Sequence, residues 1–273
     1  MPDDSAVRTG DDDYDAAHGA VYSSRLVPQL WAEAYGDEYP AEVEPFSSCT
    51  WWLLGRLIGG LRLRRDSVLV DLGCGRGGPG LWLARACSTR LIGVDFSEVA
   101  TRLAGERAAT FLRPGRAEFR RAAFADTGLP SGGADAAVSV DALPFAPDRP
   151  AALAEVFRIL RPGARFAMTA RVRPEPEGDW PALAAAAGFE VEQSIKNENH
   201  DKHWIWLYEL WLRNEPQLRA ELGERVTANL IREARAGLQR LPDPDPAELL
   251  ILRRPLPGQH LQEFAESLQQ KRP

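Results

Sequence analysis

The sequence of 273 residues has few cysteines, little lysine and no long apolar run. Its three cysteines, Cys49, Cys74 and Cys87, are too few and too unevenly spaced for a disulfide framework or a zinc cluster, and an odd number suits a reducing compartment. No stretch approaches the roughly 20 apolar residues of a membrane-spanning helix. The acidic start, with five Asp among the first thirteen residues, does not resemble a signal peptide. We therefore expect a cytoplasmic protein with no membrane partner.

An excess of positive charge is also missing. The chain has 33 Lys and Arg against 39 Asp and Glu, which gives a formal net charge of -6. A nucleic-acid partner is disfavoured, because binding to a phosphate backbone depends on a basic surface. The remaining composition, 44% hydrophobic and 26% charged residues, is that of an ordinary globular protein.

The middle of the chain alternates between strand and helix patterns. Five segments of strand length lie between Ser67 and Arg171, and most are separated by helical patterns. Such spacing is typical of parallel βαβ units wound on both faces of one sheet. Two further strands are predicted at 191–195 and 248–254. We expect an α/β fold with a doubly wound, seven-stranded, mostly parallel sheet.

Helical patterns before and after the five strands predict a lid and a cap. A lid helix is expected at 20–34 with a break or kink at Pro28, and a second helix is expected to be capped by Ser47 or Ser48. An aromatic helix and a longer helix precede the last strand. The expected division is a flexible acidic tail at 1–16 and a single domain at 17–273, made of the lid at 17–62, a cofactor-binding core at 63–172, and the C-terminal strands at 173–273 with the helical cap at 200–241.

A glycine-rich turn follows the first predicted strand. The segment VLVDLGCGRGGPG leads a buried strand into Gly73, Gly75 and Gly78, where missing side chains let the backbone press against a ligand. This GxGxxG spacing also admits a nicotinamide or flavin dinucleotide. Asp71 argues otherwise, because a carboxylate there would repel a pyrophosphate. S-adenosylmethionine has no phosphate and carries a sulfonium and an ammonium group, so it suits this charge.

The glycine-rich turn and the end of the next strand resemble the first two motifs of the class I S-adenosylmethionine-dependent methyltransferases, in particular their bacterial small-molecule branch. The residues that carry this resemblance are Asp71, Gly73, Cys74 and Gly75 in the first motif and GVDFS at 93–97 in the second. The resemblance implies that Asp95 holds both ribose hydroxyls and that Phe96 lies against the adenine. It also implies that Cys74 is a small residue chosen for fit, not a nucleophile.

Two later segments match the third and fourth motifs of the same family. AFADTGLP implies that Asp126, with Thr127 beside it, accepts a hydrogen bond from the adenine amino group. DAAVSVDALPFAPD implies that backbone carbonyls near Val140 and Asp141 hold the cofactor's ammonium. The family's N-terminal segment closes over the cofactor, which assigns the hydroxyl of Tyr22 to that site. A lid of this kind can be exchanged between protomers, which would give a homo-oligomer.

The acceptor side offers three candidate bases, which are Asp141, His200 and His203. Either histidine could instead be a solvated residue at a helix start. Many aromatic residues in the lid and cap predict an apolar acceptor pocket, and they also suit simple packing between the two. Carboxylates and histidines at ligand spacing are missing near the fourth strand, so no metal is expected.

We expect S-adenosylmethionine-dependent methylation of a small, largely apolar metabolite, most plausibly in natural-product biosynthesis. Two alternatives stay open. One is a cyclase that binds S-adenosylmethionine without methyl transfer, and the other is a nicotinamide-dependent oxidoreductase, which Asp71 and the absence of a YxxxK pair disfavour.

Overall fold

One seven-stranded sheet organises the chain in the computed structural model, which describes residues 11–258. Its strand order is β3-β2-β1-β4-β5-β7-β6. The strands are β1 (Val68–Leu72), β2 (Arg90–Asp95), β3 (Ala117–Arg121), β4 (Ala134–Ser139), β5 (Leu160–Arg171), β6 (Glu190–Lys196) and β7 (Ala247–Arg253). Strands β1 to β5 pair in parallel, whereas β7 runs antiparallel to both β5 and β6. The predicted doubly wound, mostly parallel sheet is confirmed.

Nine α-helices surround this sheet in the described part of the chain. They are α1 (Asp11–Ser23), α2 (Leu26–Tyr35), α3 (Trp51–Leu61), α4 (Gly78–Cys87), α5 (Glu98–Phe111), α6 (Arg149–Ile159), α7 (Trp180–Ala186), α8 (His200–Arg213) and α9 (Glu215–Arg240). Among them, no helix is long and apolar enough to cross a membrane.

Both faces of the sheet are covered by apolar packing, which explains why β1 and β4 consist of almost continuous apolar residues. Helices α3, α4 and α5 pack on one face around Leu54, Leu83 and Val138. Helices α6 and α7 pack on the other face around Val156, Trp180 and Phe166. A parallel sheet covered on both faces leaves the ends of its strands as the place for a ligand.

The N-terminal helices α1 and α2 pack with the cap helices α8 and α9 around a separate apolar core, the cap core. Trp31 and Trp211 are each 1% exposed and lie within this core with Leu218 and Ala234. Helix α9 is interrupted at Gly223, whose φ of 79° is not helical. The cap therefore has a core separate from the two cores of the sheet.

The acidic N-terminal segment differs from expectation. Helix α1 begins at Asp11, inside the tail predicted at 1–16, because Asp15 bonds to Ser97 and Ala16 and Ala17 pack against the cap core. The rest of that tail, residues 1–10, lies outside the described residues, as does the segment from residue 259 onward.

The helical pattern at 20–34 is broken just before Pro28, between α1 and α2, in line with the break or kink expected there. Pro28 lies in the first turn of α2, where a missing amide costs no hydrogen bond. The cap of the next helix differs from the sequence prediction. Helix α3 is capped by Thr50, whose Oγ1 accepts from the Leu53 amide at 3.2 Å, and not by Ser47 or Ser48. Ser48 instead donates to Asp141, an interaction that joins the lid to the sheet.

The start of α2 is capped by Ser24, whose Oγ accepts from the Val27 amide at 3.0 Å, and also by a carboxylate from α9. Glu221 Oε2 accepts from Ser24 Oγ at 2.6 Å, from the Arg25 amide at 2.9 Å and from the Leu26 amide at 3.2 Å. The bond from Ser24, followed by that from the Leu26 amide, lowers the pKa of Glu221. This one carboxylate therefore fixes the start of α2 against α9.

Removing this carboxylate should loosen the cap. We expect Glu221→Ala to lower the free energy of unfolding by about 1 to 2 kcal/mol, the usual cost of losing an N-cap. Urea unfolding monitored by tryptophan fluorescence measures the change. The matched control is Glu209→Ala, which removes an exposed glutamate paired only with Arg213 and should cost less than about 0.5 kcal/mol. Equal losses in the two variants would contradict the capping role.

Candidate functional site

The carboxyl ends of β1, β2 and β4 meet where the strand order reverses, which is the usual ligand position in such sheets. The loop after β1 turns sharply at Gly73, whose φ is +70°. A Cβ at this position would collide with Ala142 and would lie 3.2 Å from Phe124 Cζ. Only glycine fits here, so the backbone lies directly against the end of β4. Phe124, which the sequence did not single out, forms part of this floor.

Asp71 lies beneath the glycine-rich loop and is 2% exposed. Its Oδ2 has no hydrogen-bond partner and lies beside the first turn of α4, where a Cβ on residue 80 would come within 3.0 Å of Asp71 Cγ. Burial, reinforced by the charge of Asp95, raises the pKa of Asp71 to about 7. The Gly80 amide opposes this shift only in part, so a nearby cation would stabilise the charged form of Asp71.

Asp95 is oriented by two backbone amides. Its Oδ2 accepts from the Gly75 amide at 2.8 Å, and its Oδ1 accepts from the Ser97 amide at 2.9 Å. Each carboxylate oxygen can accept more than one hydrogen bond, so both can still accept from a pair of hydroxyls. Phe96 follows directly and is half-buried. The predicted pair of Asp95 and Phe96 therefore lies at the end of β2, beside the loop.

Helix α1 covers this end of the sheet with three side chains that sequence reasoning missed or weighted lightly. Asp15 accepts a hydrogen bond from Ser97 Oγ, and the Tyr14 ring packs edge-on against Phe96 with centroids 5.0 Å apart. His18 Cε1 lies 3.4 Å from where a Cβ of residue 75 would be. Burial lowers the pKa of His18, and Asp95 opposes that effect.

Tyr22, the tyrosine assigned from the lid, is 45% exposed and lies near Arg76 of the glycine loop and near Arg107. Its contact with the cofactor stays a prediction. The spacing of Tyr14, His18 and Tyr22 by four residues was a readable signal that they share one helix face.

The third predicted motif is only partly directed toward the site. Thr127 is held by α6, because its amide and its hydroxyl both donate to Glu155 Oε1, at 2.9 and 2.5 Å. Asp126 is exposed in the loop after β3, and together with Glu155, the larger influence, it raises the pKa of Arg158. Thr127 therefore has no free amide for a ligand, because Glu155 turns it toward the interior.

Asp141 follows β4 in a left-handed conformation, with φ of 53°. Its carboxylate accepts from the Ser48 amide at 2.5 Å, from Ser48 Oγ at 2.9 Å and from Thr169 Oγ1 at 2.7 Å. These three donors, from the lid and from β5, hold the Asp141 carboxylate in place at the end of β4, and its role as a base stays a prediction. Val140 beside it is 8% exposed.

A cavity of about 270 Å³ lies between the end of β5, the start of α8 and the end of α9. It is lined by Arg171, Arg173, His200, Trp204, Tyr208, Gly237, Arg240, Leu241 and Asp243. Burial lowers the pKa of His200, Asp141 raises it and Arg171 lowers it further. His200 thus faces the cavity as a predominantly neutral imidazole near pH 7, within the field of Asp141.

The other candidate histidine packs within the cap. His203 is 7% exposed and stacks on Tyr35, with ring centroids 4.5 Å apart, and it does not line the cavity. The aromatic residues divide in a similar way. Trp204 and Tyr208 form cavity walls, whereas Trp51 packs edge-on against Trp82 on α4.

Two further expectations concern cysteine and metal. Cys74 is 5% exposed, and burial raises its pKa well above that of a free thiol, which makes it a poor nucleophile. Within residues 11–258, no three His, Cys, Asp or Glu side chains are grouped as metal ligands.

Comparisons with known proteins agree with this geometry. A family model described as a methyltransferase domain matches residues 70–168. The 27-O-demethylrifamycin SV methyltransferase of Amycolatopsis mediterranei is 31% identical over 171 residues, covering 61% of this chain and 58% of that enzyme. The match therefore spans less than two thirds of that relative.

Solved structures share the fold. The [4+2]-cyclase SpnF has a TM-score of 0.66 at 22% identity, covering 75% of this chain and 80% of its own. The mycolic acid cyclopropane synthase CmaA1, solved with S-adenosylhomocysteine and CTAB, has a TM-score of 0.69 at 14% identity, covering 88% of this chain and 98% of its own.

The raised pKa of Asp71 makes stability depend on pH. Its pKa is about 7 in the folded chain and about 3.9 when unfolded, so the folded state binds the proton more tightly. Stability should therefore fall as pH rises from about 4 to about 7. Asp71→Asn removes this loss, and its advantage over the natural chain should grow by up to about 4 kcal/mol across that window.

Urea unfolding of the ligand-free protein at pH 4.5 and pH 7.5 measures this difference. Asp37→Asn, at an exposed position, is the matched control, and its free energy of unfolding should change with pH as that of the natural chain does. If the free energy of unfolding of Asp71→Asn has the same pH dependence as that of the natural chain, the buried carboxylate carries no unpaired charge.

Proposed function

Because the chain belongs to the class I S-adenosylmethionine-dependent methyltransferases, we propose that it methylates a small molecule bound beneath its helical cap. Its cofactor is S-adenosylmethionine. The observation that carries the proposal is the pair of buried carboxylates, Asp71 and Asp95, beside the glycine loop. They lie at the same edge of the sheet as a cavity that contains a neutral histidine.

The residues at the strand ends fit this cofactor. The unpaired Oδ2 of Asp71 supplies negative potential beneath the loop, which favours a cationic ligand over a pyrophosphate. In our proposal Asp95 accepts from the ribose hydroxyls, Phe96 contacts the adenine, and the carbonyls of Val140 and Asp141 face the ammonium. The role of Asp126 at the adenine amino group rests on the family resemblance alone.

When bound, S-adenosylmethionine supplies a methyl group on a positively charged sulfur. The protein's task is then to align the acceptor and to remove its proton. We propose His200 as the general base, because it lines the cavity and its lowered pKa keeps it neutral at pH 7. The carboxylate of Asp141, held in place by Ser48 and Thr169, would stabilise the imidazolium that forms on His200. Trp204 and Tyr208 would hold the acceptor in place.

The cavity lining favours an acceptor of mixed character. Its lining combines the aromatic rings of Trp204 and Tyr208 with the charged side chains of Arg171, Arg173, Arg240 and Asp243. A natural product with an apolar body and a polar group fits this lining. The relative that acts on 27-O-demethylrifamycin SV supports this substrate class. A cytoplasmic location is proposed with it, on the three free cysteines.

A second candidate function is cyclisation aided by the bound cofactor. The observation in its favour is the fold that this chain shares with SpnF, a [4+2]-cyclase. The carboxylates that hold the cofactor would be the same in both reactions. Only the fate of the methyl group separates them.

Calorimetric titration with S-adenosylhomocysteine and with NADH tests the cofactor first. We expect binding of S-adenosylhomocysteine alone, because the carboxylates repel a dinucleotide. Incubation with methyl-labelled S-adenosylmethionine and a set of acceptors, including 27-O-demethylrifamycin SV and 4-hydroxycinnamate, then tests transfer. Label in a product supports methylation. Turnover of an acceptor without label would favour the cyclase, and binding of NADH alone would overturn the proposal.

The base can be tested by substitution with glutamine. We expect His200→Gln to lower kcat/KM by about 10²- to 10⁴-fold, the usual contribution of a positioned base. The affinity for S-adenosylhomocysteine should not change. In the natural enzyme kcat/KM should rise with pH with a midpoint below 6.5, the usual pKa of histidine, because burial lowers the pKa of His200, and the variant should lose this rise.

The matched control for this substitution is His203→Gln, on the same helix but outside the cavity lining. It should keep the pH dependence of kcat/KM. If His203→Gln loses that dependence and His200→Gln keeps it, the assignment of the base is wrong.

A further inference from the structure

One buried charge in the glycine loop has no role in the site described so far. Arg76 is 8% exposed, although a guanidinium offers five N–H donors and is rarely buried without partners. Within residues 11–258 the Arg76 guanidinium donates one hydrogen bond, and it is long: Nη2 lies 3.4 Å from the Glu44 carbonyl oxygen. Most of its donors are therefore left for something else.

A second guanidinium lies against the first. Arg107 Nη1 donates to the Arg76 carbonyl at 3.1 Å, and its Nη2 donates to the Val43 carbonyl at 2.9 Å. The carboxylate of Glu44 is 3.8 Å from Arg107 and is the acidic side chain that acts on this pair. Burial lowers the pKa of both arginines, and for Arg76 the charge of Arg107 adds to the effect. Two cations beside one acid leave an excess of positive charge that an anion would compensate.

The position of this charge relates it to the cofactor. Arg76 directly follows Gly75, whose amide is bound to Asp95, so the cationic pair and the two buried carboxylates flank the same loop. His18 lies over Gly75 within the field of both Asp95 and Arg76. If the ribose lies at Asp95 and the amino-acid portion lies along Gly73–Gly75, Arg76 is the next residue of the loop and its guanidinium is the nearest cation in that loop.

We propose that Arg76 binds the α-carboxylate of the cofactor's amino-acid portion, with Arg107 and Glu44 holding it in place. This inference rests on the proposed function. A guanidinium and a carboxylate form two parallel hydrogen bonds, which gives both affinity and orientation. The amino-acid portion of the cofactor carries an ammonium and a carboxylate. The negative charge of Asp71 would favour the ammonium, and the guanidinium of Arg76 would bind the carboxylate.

Two ligands isolate this contact in calorimetric titrations. S-adenosylhomocysteine carries the amino-acid portion, and 5′-deoxy-5′-methylthioadenosine has the same nucleoside without it. We expect Arg76→Gln to weaken binding of S-adenosylhomocysteine at least tenfold, while the affinity for methylthioadenosine changes less than twofold. The matched control is Arg102→Gln, which removes an exposed arginine on α5 that is paired with Glu106, and it should change neither affinity.

Methylthioadenosine also reports whether the variant is folded. If Arg76→Gln binds neither ligand, Arg76→Lys decides the matter, because an ammonium keeps the charge but cannot form two parallel hydrogen bonds. The preference for S-adenosylhomocysteine over methylthioadenosine should then fall relative to the natural chain. An unchanged preference in either variant that binds would overturn the inference.

Two further results separate the possible failures. If the natural chain binds neither nucleoside, the proposed function itself fails, whatever Arg76 does. Inorganic phosphate, titrated into the protein saturated with S-adenosylhomocysteine, tests for a general anion site. Binding of phosphate that is lost in Arg76→Gln would show that the guanidinium is free in the complex, and this would also overturn the inference. No such binding is expected.

Discussion

Negative charge buried at the ends of two neighbouring strands is the constraint on which the site depends. The parallel register aligns Asp71 with Gly93 and Leu72 with Val94, which brings the ends of β1 and β2 side by side. The turn at Gly73 then places the loop backbone between Asp71 below and Asp95 beside it. Burial and the charge of Asp95 make Asp71 harder to ionise, which costs free energy at neutral pH. A ligand that brings a positive charge relieves this cost.

A few polar contacts, as well as apolar packing, join the lid and the cap to each other and to the rest of the domain. Asp15 joins α1 to the start of α5, Ser48 joins the segment before α3 to Asp141, and Glu221 joins α9 to α2. Asp141 has a central position among these contacts, because it also accepts from Thr169 on β5. Its field reaches His200 in the cavity. The contact that fixes the lid thus also sets the charge that acts on the proposed base.

The sequence could predict those features that depend on local pattern. Apolar strands followed by glycine identified the sheet, and the acid before each turn identified Asp71 and Asp95. Contacts between distant segments left no such pattern. The helix at Asp11 is stabilised by a bond to Ser97, and the inward turn of Thr127 depends on Glu155. The burial of Arg76 requires the segment at Val43 and Glu44, which no spacing in the sequence relates to the loop.

The break at Gly223 gives the long cap helix two parts with different neighbours. The part before it carries Glu221, which anchors α2, and the part after it carries Gly237 and Arg240, which line the cavity. A helix that is not continuous transmits little rotation from one end to the other. If the cavity holds the acceptor as proposed, substitutions in residues 224–240 can change its lining, by evolution or by library design, while the anchoring of the lid by Glu221 is kept.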